Sequence, residues 1–413
     1  MANNFVQVND FLYHIGVNDR DTQLFEAQWP IPFGVAYNSY LIKAEKTALT
    51  ETVKITKVDD FVRNLDQALD GRDLDYLIVH HMEPDHSGSL EFIRKLYPNV
   101  TLVANSKTVE MLEAFYCVDP ETNIHVVDEG DILDLGGRQL QFFKTPMVHW
   151  PESMVSYELN SKILFSQDIF GSFRTLDGSI YDDEIKWAHF ADEAVRYYTN
   201  IVGKYSKMAQ NALKKLAPVE ISMICPIHGP IWRSNPGRML ELYKNLTTWQ
   251  VEDGVVIAFG SMYGNTETMA DYLGRALARE GVKNVQIFDV SKTHPSYVYN
   301  EIWKHRGVIL GACTYNNDVF PPMKVLCDLL EENKMQNHTI GVFGSYSWSG
   351  GAYAYLDKFA KGQKKFEYLE DIKVEAKSSP KAADYEGLDQ LAKAMAENLK
   401  SHKDDNVENL LQL

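Results

Sequence analysis

The run Val255-Val-Ile-Ala-Phe-Gly-Ser-Met-Tyr-Gly-Asn-Thr266 reads as a buried strand, 255–259, followed by a loop of small and hydroxyl residues. A helix at about 265–280 comes next, then a strand near Val285–Val290, a helix around 296–305 and a strand Val308–Leu310. The rhythm continues with a helix near 322–333, a strand Ile340–Phe343 and a helix-rich C-terminal stretch. Such βαβα alternation predicts a parallel, doubly wound sheet. In the loop, unpaired backbone N–H groups at the helix start, together with the hydroxyls of Ser261 and Thr266, can surround a phosphate without Lys or Arg. The Walker lysine is missing, which argues against a nucleoside triphosphate, and so is G-x-G-x-x-G, which argues against a dinucleotide.

Two further loops should emerge beside the first, at the carboxyl ends of neighbouring strands, where open α/β sheets bind ligands. They are Ala312-Cys-Thr-Tyr-Asn-Asn317 and Ser345-Tyr-Ser-Trp-Ser-Gly-Gly351. Tyr315, Tyr346 and Trp348 offer flat surfaces for an isoalloxazine ring, and Gly350 and Gly351 let backbone approach a ligand closely. On these motifs, residues 254 to about 400 resemble a flavodoxin domain, which binds FMN. The resemblance implies that FMN is held by Ser261, Met262, Tyr263, Gly264, Asn265 and Thr266, by Thr314, Tyr315, Asn316 and Asn317, and by Ser345, Tyr346, Ser347, Trp348, Ser349, Gly350 and Gly351.

Upstream, a helical pattern at Met239–Leu246 gives way to a seam near 247–254, so domains of 1–250 and 251–413 are expected. The first part is rich in short β-type runs: 76–79, 100–104, 139–143, 163–165 and 221–225, some separated by helical patterns at 89–96 and 108–115. The first of these strands runs into His80-His-Met-Glu-Pro-Asp-His86. Ligand-type residues recur as His149, Asp168 and His228, at intervals of 63, 19 and 60 residues, each following or ending a β-type run. Four imidazoles (His81, His86, His149, His228) and three carboxylates (Glu83, Asp85, Asp168) exceed one four-coordinate site and suit two metals sharing a carboxylate. His80 adjoins the cluster, but strand alternation turns it away from His81. Trp150, Tyr197 and Tyr198 are expected to serve core packing rather than the metal pocket.

His-x-Glu-x-Asp-His resembles the metal loop of the metallo-β-lactamase fold, in which zinc enzymes carry His-x-His-x-Asp-His. Glu83 puts a hard oxygen donor where those enzymes have nitrogen, which suits iron. A domain bearing this loop followed by a flavodoxin domain resembles the flavodiiron proteins, along essentially the whole chain and at all seven ligand positions. That family implies a two-domain α/β and α+β fold: an N-terminal metallo-β-lactamase-like αβ/βα sandwich, then a flavodoxin-like doubly wound parallel sheet. It implies one iron on His81, Glu83 and His149, nearer the flavin, a second on Asp85, His86 and His228, and Asp168 bridging, with a bridging hydroxide or oxo group. Reduced FMN with two ferrous ions stores four electrons, enough to take O₂ to water; two electrons take two NO to N₂O and water. Zinc has no redox chemistry and would leave the flavin idle. The same seven ligands serve both gases in the family, so the resemblance names the pair of substrates and not one of them.

The rest of the composition narrows the alternatives. Forty-one Lys plus Arg against 57 Asp plus Glu give a net charge of −16, which argues against nucleic acid and against a β-lactamase-fold nuclease. No apolar run reaches 18 residues and the N-terminus does not read as a signal peptide, so no membrane association is expected and a cytoplasmic location is. The four cysteines, Cys117, Cys225, Cys313 and Cys327, form no C-x-x-C pair and each adjoins apolar sequence, so buried free thiols are expected. Without such pairs no rubredoxin module is expected, and without a dinucleotide fingerprint no NAD(P)H site. An external carrier such as rubredoxin is therefore implied, as is, from the family, a head-to-tail homodimer or a tetramer built from it. Two other readings stand beside this one: a zinc hydrolase fused to a flavodoxin-like module, and a flavin electron carrier with an inactive metal domain.

Overall fold

Short β-segments dominate the first half of the chain, and most of them assemble into two large sheets rather than one. In the computed structural model, which describes residues 4–118 and 123–411, the chain divides into two compact units, Met1–Lys244 and Asn245–Leu413. The first three residues, on which part of the N-terminal reading rests, lie outside the described residues.

In the first unit, one sheet runs in the order Val6–Gln7, Leu12–His14, Tyr40–Lys43, Thr47–Thr50, Tyr76–Ile78, Thr101–Ala104, Ile124–Val126. The other runs Ile132–Asp134, Gln139–Lys144, Met154–Glu158, Ile163–Gln167, Met223–Pro226. Ile42, Ala48, Ile78 and Val103 from the first sheet share a core with Leu140, Phe142, Phe165 and Cys225 from the second. Helices cover the outside. Val58–Leu69, for example, buries Phe61, Leu65, Ala68 and Leu69, carries Asp59 and Asp60 in its first turn and stops at Asp70 in the left-handed region. This is the expected metallo-β-lactamase-like sandwich.

The second unit is a sheet in the order Val285–Asp289, Glu252–Gly260, His305–Tyr315, His338–Tyr346, Phe366–Tyr368, all parallel. That is the 2-1-3-4-5 order of flavodoxin-like sheets. The helices Asn265–Arg279 and Ala382–Ser401 press Met269, Leu273, Leu277, Leu391 and Met395 onto Val255, Ile257 and Ile309.

Two features depart from the sequence reading. The strand expected at 308–310 extends through Tyr315 and folds back on Asp318–Val319 across Asn316 and Asn317, both left-handed (φ 48° and 61°), a turn that asparagine tolerates. The leading residues of the loop expected beside the flavin are thus strand residues. Cys117 is exposed, because it ends the helix Ser106–Tyr116 as its left-handed cap; the other three cysteines are buried.

The central strand admits no side chain at Gly311, where a Cβ would lie 2.0 Å from Cζ of the fully buried Phe343. Gly311→Ala is expected to cost about 1–3 kcal/mol by overpacking, read as a lower urea midpoint at unchanged m-value. A companion Phe343→Leu should recover part of the loss.

Candidate metal centre

All seven candidate ligands follow the carboxyl end of a strand, so the two sheets deliver them from separate stretches of sequence. After Tyr76–Ile78 the chain passes His80 and His81, and Glu83 leads into a single helical turn, Pro84–Ser87, that carries Asp85 and His86. Pro84 starts that turn without forfeiting a hydrogen bond. The Ser87 hydroxyl donates to the carbonyls of Met82 and Glu83, and the Thr52 amide and hydroxyl both donate to the His86 carbonyl. The loop is therefore clamped from within and from the neighbouring strand. His149 lies beyond Gln139–Lys144, Asp168 directly after Ile163–Gln167, and His228 after Met223–Pro226.

The side chains converge in two groups. Ligand atoms of His81, Glu83, His149 and Asp168 lie within 4.8 Å of one another, and those of Asp85, His86 and His228 do likewise. Glu83 Oε2 is 2.9 Å from His149 Nε2 and 3.4 Å from His81 Nε2. Asp85 Oδ1 is 3.2 Å from His86 Nε2, and its Oδ2 is 3.4 Å from His228 Nε2. Asp168 faces both groups: Oδ2 is 3.3 and 3.6 Å from His81 and His149 Nε2, while Oδ1 is 3.6 and 3.7 Å from His86 and His228 Nε2. Ligands each about 2.0–2.2 Å from a shared cation stand about 3–3.6 Å apart, so these spacings fit two metals with one carboxylate between them.

The unsatisfied atoms make the same case independently. Both Asp85 oxygens, both His86 ring nitrogens and His228 Nε2 are buried and have no hydrogen-bond partner. Leaving so many polar atoms orphaned is costly unless something else satisfies them, and only a cation suits carboxylate and imidazole lone pairs together. His81, His86 and His149 are all held above the ordinary histidine range: burial opposes their charge, but the surrounding carboxylates outweigh it, chiefly Asp168 for His81, Asp85 for His86 and Glu83 for His149. For Asp168 and Glu83 burial acts upward, yet the facing imidazoles hold both below the usual carboxylate range. Protons on these imidazoles gain from the facing carboxylates in the same way that a cation there would.

Around the ligands stand residues that the sequence does not reveal as such. His81 Nδ1–H donates to Glu152 Oε1 (2.8 Å) and His228 Nδ1–H to the Ala36 carbonyl (2.8 Å), which aims each Nε2 inward. The Tyr197 hydroxyl donates to Asp168 Oδ1 (2.6 Å), and Gln167 Nε2 to Oδ2 (2.5 Å). Tyr197 was expected to be core packing alone; it is both, because its ring packs on Phe25, Phe173 and His228 while its hydroxyl reaches the shared carboxylate. Trp150 also borders the site, edge-on to His81 at 5.2 Å, whereas Tyr198 pairs with Ser206 in the core. His80 turns away onto Glu51 and Ser156. Glu152 had one weak signal, its place three residues after His149 in the same turn.

The second unit brings its three loops together around two adjoining cavities. The larger, about 400 Å³, is lined by Met262, Tyr263, Thr314, Tyr315, Asn316, Asn317, Ser347, Trp348 and Ser349. Tyr263 is 93% exposed and Trp348 88%, aromatic faces with little packed against them. The smaller, about 70 Å³, adds Ser261, Asn265, Thr266, Ser345, Tyr346, Cys313 and Ser378. Among the described residues neither lining includes Lys or Arg. Gly264, Gly350 and Gly351 line neither cavity and act on loop shape: a Cβ on Gly351 would stand 2.4 Å from the Asn317 carbonyl oxygen, so two of the loops touch through bare backbone. Ser378 was missed; it follows the strand Glu375–Lys377, which pairs with Gly344–Tyr346.

Residues 35–229 match the family described as ODP family beta lactamase, and residues 257–387 match the flavodoxin family. The anaerobic nitric oxide reductase flavorubredoxin of Escherichia coli K12 is 32% identical over 352 residues, 84% of this chain and 73% of that protein. Among solved structures, rubredoxin oxygen:oxidoreductase from the anaerobe Desulfovibrio gigas is 30% identical, with a TM-score of 0.92 over 96% of this chain and 99% of its own. A flavo di-iron protein from Thermotoga maritima is 26% identical, with a TM-score of 0.88 over 96% and 98%. Among the described residues no helix is long and apolar enough to cross a membrane.

The displaced imidazole pKa values set a pH dependence for the metal-free chain. Because folding raises His81, His86 and His149, their protons stabilise the fold fully below the ordinary histidine pKa of about 6.5. That contribution is lost as pH rises through the higher folded values. Chelator-stripped protein is expected to melt at a lower temperature at pH 9 than at pH 6.5, and metal reloading should close the gap by replacing the protons. Calorimetry of the two forms checks it. In the other unit, Gly351→Ala should weaken FMN binding at least tenfold while leaving metal content unchanged, measured by flavin fluorescence on titration.

Proposed function

The chain belongs to the flavodiiron proteins, and from that premise we propose that it reduces O₂ to water, NO to N₂O, or both, at two irons supplied with electrons through FMN. The irons would be held by His81, Glu83 and His149 on one side and by Asp85, His86 and His228 on the other, with Asp168 shared. FMN would be held by the loops 261–266, 314–317 and 345–351, within a domain of residues 251–413 that follows a metal-binding domain of 1–250. The observation that carries the reading is Asp168, whose two oxygens face separate histidine pairs within a chain that also carries a flavodoxin-type pocket.

Bound at these positions, the metals and the flavin supply the redox chemistry: four electrons and four protons turn O₂ into two waters, and two electrons and two protons turn two NO into N₂O and water. The chain's own residues do the rest. Burial, reinforced by the neighbouring Asp168 charge, drives the Tyr197 hydroxyl well above its ordinary pKa. It therefore keeps its proton and remains a donor at Asp168 Oδ1. Trp150 and Phe25 present hydrocarbon to His81 and His228, excluding water from two of the ligand rings. Electrons arrive from a separate carrier, rubredoxin being the candidate, and the working unit is a head-to-tail homodimer in the cytoplasm.

The test is to load the full-length protein with iron, reduce it through a rubredoxin couple and follow O₂ and NO on matched electrodes, with iron and FMN measured in the same sample. About two irons and one FMN per chain, with fast consumption of either gas, is the expected result. Glu83→Ala and Asp168→Ala should each lower turnover at least a hundredfold while retaining FMN. Full activity in those variants would overturn the diiron assignment; zinc in freshly isolated protein, or no consumption of either gas, would point instead to the hydrolase reading.

A further inference from the structure

The two halves of the metal centre are not equivalent in what stands behind their histidines. His228 is steadied by a neutral carbonyl, that of Ala36, and His86 Nδ1 has no partner. His81 alone of these three is backed by a carboxylate. Glu152 is 1% exposed, and its Oε1 accepts both His81 Nδ1–H (2.8 Å) and the Met82 amide (2.9 Å). Its Oε2 is buried without a partner, and its only ion-pair partner among the described residues is His81. A carboxylate buried in this way is strongly destabilising unless a positive charge lies close by. Among the described residues no Lys or Arg supplies it, so the compensation must pass through the imidazole to whatever binds Nε2.

We propose that Glu152 is a positioning residue for the metal at His81, Glu83 and His149: it fixes His81 as the Nδ1–H tautomer, aims Nε2 at that metal, and through its charge makes that metal harder to reduce than its neighbour. A carboxylate hydrogen-bonded to a ligand imidazole makes the ring a stronger donor, and stronger donors favour the more oxidised ion. The neighbouring position has no counterpart, since a carbonyl dipole and an unpartnered nitrogen carry no net charge. The two metals thereby acquire an order of reduction from one side chain that touches neither. Asn105, whose amide donates to the Glu152 carbonyl (2.6 Å) and whose Oδ1 caps the helix Ser106–Tyr116, holds the residue in place.

The inference rests on the diiron reading above, and the closing experiment separates the two. Glu152→Gln keeps an oxygen for the two donors that pin Oε1 and removes only the charge. Metal content, FMN content and the midpoint potentials of the flavin and of both iron couples are measured by spectroelectrochemical titration of the full chain. E152Q is expected to hold two irons and to shift the lower-potential iron couple upward by about tenfold in its reduction equilibrium, about 59 mV for one electron, with the flavin couple unmoved. Glu152→Ala, which also removes the acceptor, should bind iron about 10–100-fold more weakly. Unchanged iron potentials in an iron-replete E152Q would overturn the inference and leave the diiron reading intact; a wild-type protein without iron would overturn both. Should E152Q hold no iron, Glu152→Asp decides: an Asp variant that regains two irons supports the need for charge, and one equally empty defeats it.

Discussion

Everything at the metal centre follows from one electrostatic constraint: Asp168, 1% exposed, lies between two histidine pairs, with Glu83, Asp85 and Glu152 close by. Four carboxylates cannot share so small a buried volume without cations among them. The fold meets the constraint by using the carboxyl ends of strands from both sheets, each contributing one or a few ligands, and by leaving the lone pairs of Asp85, His86 and His228 Nε2 without protein partners. The backbone around them is correspondingly over-determined. Thr52, Ser87 and the Ala36 carbonyl are committed to holding ligand-bearing segments or ligand rings rather than to the general core. Gln167, left-handed at φ 56° just before Asp168, stores backbone strain at this corner, and its side chain binds the carboxylate it introduces.

The flavin-type pocket solves a different problem in the opposite way. A phosphate brings negative charge into a chain of net charge −16, yet no cationic side chain lines the small cavity. Peptide N–H groups at the start of the helix Asn265–Arg279 and hydroxyls from three loops replace point charge with many oriented dipoles. The ring cavity keeps Tyr263 and Trp348 almost fully exposed, a desolvation cost that a flat aromatic ligand between them would remove. One unit therefore collects charge where cations would fit, and the other keeps cationic side chains away from the cavity where an anion would.

How much of this was legible in the sequence depends on how the information is carried. Four of the seven residues that converge fall within six positions, His81 to His86, and the other three come at or shortly after a strand end, so pattern and spacing were enough to pick them out. The three flavin-side loops were legible because each interrupts an otherwise regular strand-to-helix passage. What escaped was carried by geometry. The Ala36 carbonyl has no residue identity to read. Tyr197 occupies a buried position on an amphipathic helix and looks like core, because its ring is core and only its hydroxyl is not. Ser378 reaches the phosphate-sized cavity through a three-residue strand paired beside Gly344–Tyr346, an adjacency that no local pattern announces.

Substrate choice between the two gases belongs to this second class of information. The ligand set is fixed by charge balance and cannot easily vary, whereas the groups that steady it differ from one side to the other: a carboxylate behind His81, a carbonyl behind His228, a phenol on one oxygen of Asp168 and an amide on the other. Water formation from O₂ takes four electrons and four protons, and N₂O formation takes two of each, so the reactions differ in how long the centre must keep supplying both. Neutral donors that retain their protons, as Tyr197 does, and a carboxylate behind a ligand ring, as Glu152 is, can act on that supply without altering a single coordinating atom. Selectivity can therefore differ between chains with the same seven residues, through groups that sequence patterns expose least.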